Sequence, residues 1–170
     1  MEMIYMIDML LLSIAVSLGV GCSTVAITQF LVALKDGEVD QTERKMLGVV
    51  YILLRVAMVA ILATLLVQAG IIYYITGSFL FVSPFFLALY SAVAVLYLNA
   101  IGMTMHWIPL NLGPAFQATS WYTLGILMAL VSLNLIDFNY LEFVLVYVGA
   151  GILVAAGLNL VMRRLRPKKA

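Results

Sequence analysis

Residues 46–69 read MLGVVYILLRVAMVAILATLLVQA, an apolar run carrying a single charge, Arg55. A helix needs about 20 such residues to cross the hydrocarbon core of a bilayer. The run is preceded by a helix start signal. Asp40 stands where an N-cap belongs, and Glu43 follows three residues later, as in a capping box. Gly70 marks its far end. This one stretch sets the class: a transmembrane helix, with the remaining chain to be divided by the same rule.

Working outward, four more runs qualify. The first covers 4–34 and is longer than a bilayer requires, so it must tilt or project. It stops at Lys35-Asp36-Gly37, with Gly37 as the C-terminal cap. The third covers 84–106 and opens with Ser83 as cap and Pro84 at the first helical position. Trp107-Ile108-Pro109 breaks the pattern, Gly113-Pro114 restarts it, and the fourth run covers 115–136. The fifth covers 141–162, after a polar turn at Asp137-Phe138-Asn139-Tyr140. The aromatic stretch 71–82, with Tyr73, Tyr74 and Phe79, reads as an interfacial turn. The expected fold is an all-α, polytopic membrane helix bundle of five spans forming one domain over 1–170.

The composition agrees. Hydrophobic residues make up 65% of the chain and charged residues 10%, against about 25% charged in a soluble domain. So few charges cannot cover a water-facing surface. One cysteine, Cys22, excludes an intramolecular disulfide framework, and one histidine excludes a multi-His zinc or bis-His haem site within one chain. The N-terminus carries no basic region, and the run that follows is too long for a signal peptide, so it reads as a retained span.

Basic residues orient the bundle. Arg163, Arg164, Arg166, Lys168 and Lys169 put the tail in the cytoplasm, where they meet lipid headgroups. Five spans then put Lys35, Arg44 and Lys45 on the same side, and Glu2, Asp8, Asp137 and Glu142 on a side with no Lys or Arg. The expected location is a prokaryotic plasma (inner) membrane with the C-terminus cytoplasmic.

Arg55 is the most informative single residue. It lies about 13 Å of helix rise beyond Met46, at a depth where arginine costs about 2.5–3.5 kcal/mol to insert. One reading is a snorkelling side chain reaching back to the headgroups past Tyr51 and Gly48. The other is a pathway, substrate or partner site shared with Tyr51. In the first span, Ser13, Ser17, Gly21, Thr24 and Thr28 form one stripe, and Ala15, Gly19, Cys22 and Ala26 form another about opposite. Small residues on two faces predict close helix neighbours, with Gly19 and Gly21 as packing positions and the first helix central. Alternatively, the hydroxyls line a polar pathway.

Asn99, Met103 and His106 share a face of the third span. Asn99 and His106 are further pathway candidates, although His106 also suits a helix C-terminus. Met3, Met6 and Met9 with His106 suggest soft-metal chemistry, but the topology puts them on opposite sides, so no metal site is expected. No cofactor is expected either. Trp107-x-Pro109, Gly113-Pro114-x-Phe116 and Trp121-Tyr122-x-Leu124 resemble the Trp/Pro-rich segments of the tryptophan-rich sensory protein family, which also has five helices. The spacing and the position in the chain differ, and no residue role is taken from that family.

Two functions fit these features. The first is a small transporter or channel-like subunit, built on Arg55, the Ser/Thr stripe and the polar positions Asn99, Gln117 and Asn134, and working as a homo-oligomer. With Asp8 assigned to the outer rim, it has no intramembrane carboxylate. The second is a non-transporting accessory or assembly protein packed against another membrane protein. No catalytic set can be built from one His and eight acids lying mostly at the interfaces, so an enzyme is not expected. The partners expected are the lipid bilayer and a second copy or another membrane protein. Nucleic acid is not among them.

Overall fold

The computed structural model describes residues 2–36, 40–77, 83–109, 112–133, 135 and 137–165. Those residues form five α-helices: α1 Glu2–Asp36, α2 Gln41–Thr76, α3 Pro84–Thr104, α4 Gly113–Ser132 and α5 Tyr140–Leu165. α1, α2, α3 and α5 are long and apolar enough to cross a membrane. Large apolar side chains on their outer faces are open, such as Leu98 at 67% and Leu153 at 74% exposure. That surface suits lipid rather than water.

The helix boundaries follow local chemistry. Asp40 caps α2: its Oδ1 accepts from the Glu43 N–H at 2.6 Å, and its own N–H donates to Glu43 Oε2 at 3.1 Å, completing the capping box. The interfacial turn expected from residue 71 is corrected over 71–76, which continue α2 as helix. Gly70 lies inside the helix. The stop is Gly77, in the left-handed conformation at φ 67°, its N–H bonded to the Tyr73 carbonyl at 2.8 Å. Residues 78–82 lie outside the described part.

α3 ends two residues earlier than expected, in a Schellman motif. His106 takes φ 59°, its N–H donates to the Met103 carbonyl, and the Trp107 N–H donates to the Gly102 carbonyl at 2.8 Å. α4 starts and ends earlier than expected, at Gly113 and Ser132. α5 begins where Asn139 Oδ1 accepts the Leu141 N–H at 2.9 Å.

α1 and α2, at 35 and 36 residues, rise about 50 Å each, whereas α3 and α4, at 21 and 20, rise about 30 Å. The α1–α2 hairpin therefore outruns its neighbours. Its seam is a heptad. Buried positions on α1 run Asp8, Leu12, Ala15, Gly19, Cys22, and those on α2 run Leu54, Ala57, Ile61, Thr64, Gln68. Alternating steps of four and three keep both rows on one facing stripe. The two rows also mirror each other about the midpoint of Asp36 and Asp40. Gly19 is as far from it as Ala57, Ala15 as Ile61, and Asp8 as Gln68.

α4 packs against α1, α3 and α5. Trp121 and Leu124 are fully buried, and Ser120 and Thr119 are buried beside them. α1, expected to be the central helix, packs against α2, α4 and α5, and α4 shares that central place. α4 can bury its hydroxyls because Thr119 and Ser120 bond the carbonyls of Ala115 and Phe116, four residues back.

Tyrosine hydroxyls tie the helices together. Tyr97 of α3 donates to the Met58 carbonyl of α2 at 2.8 Å. Tyr122 of α4 meets Thr24 of α1 at 2.8 Å, Tyr140 of α5 meets Ser91 of α3 at 2.7 Å, and Tyr147 of α5 meets Ser120 of α4 at 2.7 Å. Each such bond in an apolar bundle contributes about 0.6 kcal/mol. α5 is otherwise the least covered helix.

Candidate functional site

The α1–α2 seam delivers a polar pair into an apolar interior. Asp8 is 4% exposed and Gln68 is 0% exposed. Both occupy core positions of the heptad, so neither turns outward without moving its helix. The Gln68 Nε2 donates to Met9 Sδ at 3.1 Å, and the amide also lies beside the Asp8 carboxyl. Two acceptor oxygens in this pair, Asp8 Oδ2 and Gln68 Oε1, are buried and lack a hydrogen-bond partner. Asp8 acts electrostatically on Tyr5, one turn earlier on α1, and Tyr5 in turn on Tyr90 of α3.

The reading of the bundle as free of a buried carboxylate is therefore corrected: the seam encloses Asp8. Over its first two turns α1 leaves Met3, Ile4, Met6 and Ile7 exposed, and Asp8 is the position that enters the seam. A carboxylate buried without a cationic partner is expensive, because its attraction to water is lost and nothing replaces it. Among the described residues no salt bridge reaches Asp8. Arg55 is thirteen residues from Gln68 along α2, about 20 Å of rise, so it cannot serve as the counter-ion.

Arg55 and Tyr51 are exposed, one turn apart on α2. They line a cleft of about 300 Å³ together with Met103 and Thr104 at the end of α3 and Gln117 in the first turns of α4. The cleft brings Arg55 and Tyr51 together with α3 and α4, and it is separate from the Asp8–Gln68 pair. Asn99 is buried next to it. Its Nδ2 donates to Gln117 Oε1 at 2.9 Å and to the Gly113 carbonyl at 3.0 Å, fastening α3 to the start of α4. His106 is exposed and forms the left-handed stop of α3.

The two stripes of α1 separate cleanly. Ala15, Gly19 and Cys22 face the core. Gly19 lies under the Trp121 ring, where a Cβ would overlap it. Gly21 is corrected as a packing glycine: a Cβ there meets nothing. It lines an open groove of about 530 Å³ beside α4, together with Ser17 and Tyr122. Ser17, Thr24 and Thr28 are exposed and Ser13 is half-buried. Thr24 and Thr28 bond the carbonyls of Val20 and Thr24 on their own helix at 2.8 and 2.9 Å, and Thr24 also meets Tyr122. Arg164 is exposed at the end of α5. The Arg163 side chain and residues Arg166, Lys168, Lys169 and Asn134 lie outside the described part.

Asp8 and Gln68 were missed as a pair, although a signal for them exists. Extending the stripe Ala26, Cys22, Gly19, Ala15 backward in the same steps reaches Leu12 and then Asp8. Pairing that row with the matching row of α2 then sets Gln68 opposite. Comparison with protein-family models, with curated proteins and with solved structures finds no match for this chain.

Proposed function

We propose that this chain is a small multi-pass transporter or channel-like subunit of a prokaryotic plasma membrane, in which Asp8 handles the ion. The observation that carries the reading is the Asp8 carboxyl, buried in the α1–α2 seam with an unpartnered oxygen and no cation beside it among the described residues. An ionisable group at such a place is costly to keep and marks an ion or proton pathway by default. In this reading α4 is the fifth span, admitted despite its polar residues because other helices surround it. The N-terminus is outside, and the basic tail and the 35–45 segment are inside. The Arg55 cleft, level with the end of α3, serves as the inner anchor to anionic headgroups. Proton flux into reconstituted vesicles, compared between the wild type and Asp8→Asn, tests the proposal.

A second reading is an accessory protein that packs against another membrane protein or a second copy. Its support is α5, whose faces are mostly open, and the apolar cleft of about 390 Å³ that α5 forms with α4 around Leu127, Phe143 and Tyr147. The absence of flux in every vesicle preparation, with stable co-purification of one partner, favours this alternative.

A further inference from the structure

The Asp8–Gln68 pair contains an imbalance that one atom removes. Gln68 has two amide N–H donors. One goes to Met9 Sδ at 3.1 Å, and the other is free for the Asp8 carboxyl beside it. What remains are two acceptors with no donor, Asp8 Oδ2 and Gln68 Oε1, both buried. A carboxylate is acceptor-only, so an ionised Asp8 can satisfy neither. A single proton on Oδ2 turns that oxygen into a donor, and Gln68 Oε1 is the buried acceptor left open in the same pair.

We propose that Asp8 and Gln68 form a proton-binding site, in which Asp8 carries its proton on Oδ2 and Gln68 reads it through Oε1. Binding takes one proton from water and forms one O–H bond, and nothing is oxidised or reduced. A metal cation fits less well: two orphan oxygens fall far short of the six or more that hard cations take. The groups around the site are few. Tyr5 of α1 feels the Asp8 charge, Tyr90 of α3 feels Tyr5, and α2 contributes the neutral Gln68 amide. Among the described residues no other titratable or charged side chain acts on Asp8 from α4 or α5. Release of the proton leaves a buried anion facing the carbonyl dipole of Gln68, a repulsion that opens the seam or draws in water. The pair thus supplies the two states that a coupled carrier requires.

The inference deepens the transport reading by naming its ion, and its test does not depend on flux. Infrared difference spectra of the full-length protein in detergent or vesicles, wild type minus Asp8→Asn at neutral pH, should contain the C=O stretch of one protonated carboxylic acid per chain. That band should shift down in D2O and disappear on alkaline titration. In Gln68→Met, which keeps length and volume, it should move to higher frequency because the amide donor is gone. Absence of the band in the wild type at neutral pH overturns the proposal, whatever the variants do. So does a band that Gln68→Met leaves unmoved. A band with the expected behaviour in a protein that shows no flux keeps the proton site and removes the transport reading, so the two fail separately.

Discussion

The indole of Trp121 in α4 lies on the backbone of Gly19 in α1, so closely that a Cβ at Gly19 would overlap the six-membered ring. Gly21, two residues on, faces open space. The same substitution should therefore have opposite signs at the two sites. Gly19→Ala should destabilise the bundle by about 1–3 kcal/mol, because a fully buried ring has nowhere to move. Gly21→Ala should stabilise it by up to about 1 kcal/mol through helix propensity alone. Thermal unfolding in detergent reads both. Equal shifts in one direction would mean that α1 and α4 do not meet at this point.

His106 should show its role as a backbone stop rather than a pathway group. A left-handed conformation costs a residue with a Cβ about 1–2 kcal/mol relative to glycine, and His106 holds φ 59°. His106→Gly should raise the melting temperature and leave any flux intact. A loss of flux in a well-folded His106→Gly protein would return the imidazole to the list of working groups.

How much of this was legible in the sequence depends on which interactions were local. Helix starts were visible because caps act within four residues, as at Asp40 and Glu43. The end of α2 was misplaced because both Gly70 and Gly77 qualify by composition, and only Gly77 adopts the left-handed turn. The span at α4 was visible, but its packing against α1, α3 and α5 was not, because those contacts join helices far apart in sequence. Asp8 was assigned to the outer rim from its place near the start of the first span, which says nothing of its burial. Its burial is a property of the seam, which needs the register of two helices at once.

Arg55 stands in an open cleft with no ion pair among the described residues, so its guanidinium geometry should matter little to folding. Arg55→Lys and Arg55→Leu should both insert, and both should melt within about 0.5 kcal/mol of the wild type. Poor folding of both variants would show a geometrically specific partner for the guanidinium and contradict its role as an anchor to headgroups.

Topology offers a separate check. Reporter fusions after Gly77 and after Asp137 should report the outside of the cell, and a fusion at the tail the cytoplasm. Cytoplasmic activity after either outer position would reduce the number of spans and leave α4 out of the bilayer.

The most direct measurement is proton entry into vesicles that hold the purified protein and a trapped pH-sensitive dye, under an imposed potential negative inside. The wild type should acidify the lumen well above the protein-free rate. Asp8→Asn, which keeps the shape and the hydrogen bonding to Gln68 but has no proton to release, should fall to the protein-free rate while folding normally. Wild-type acidification that Asp8→Asn leaves unchanged would contradict the assignment of Asp8 as the ion-handling residue, and a wild type indistinguishable from empty vesicles would contradict the transport reading itself.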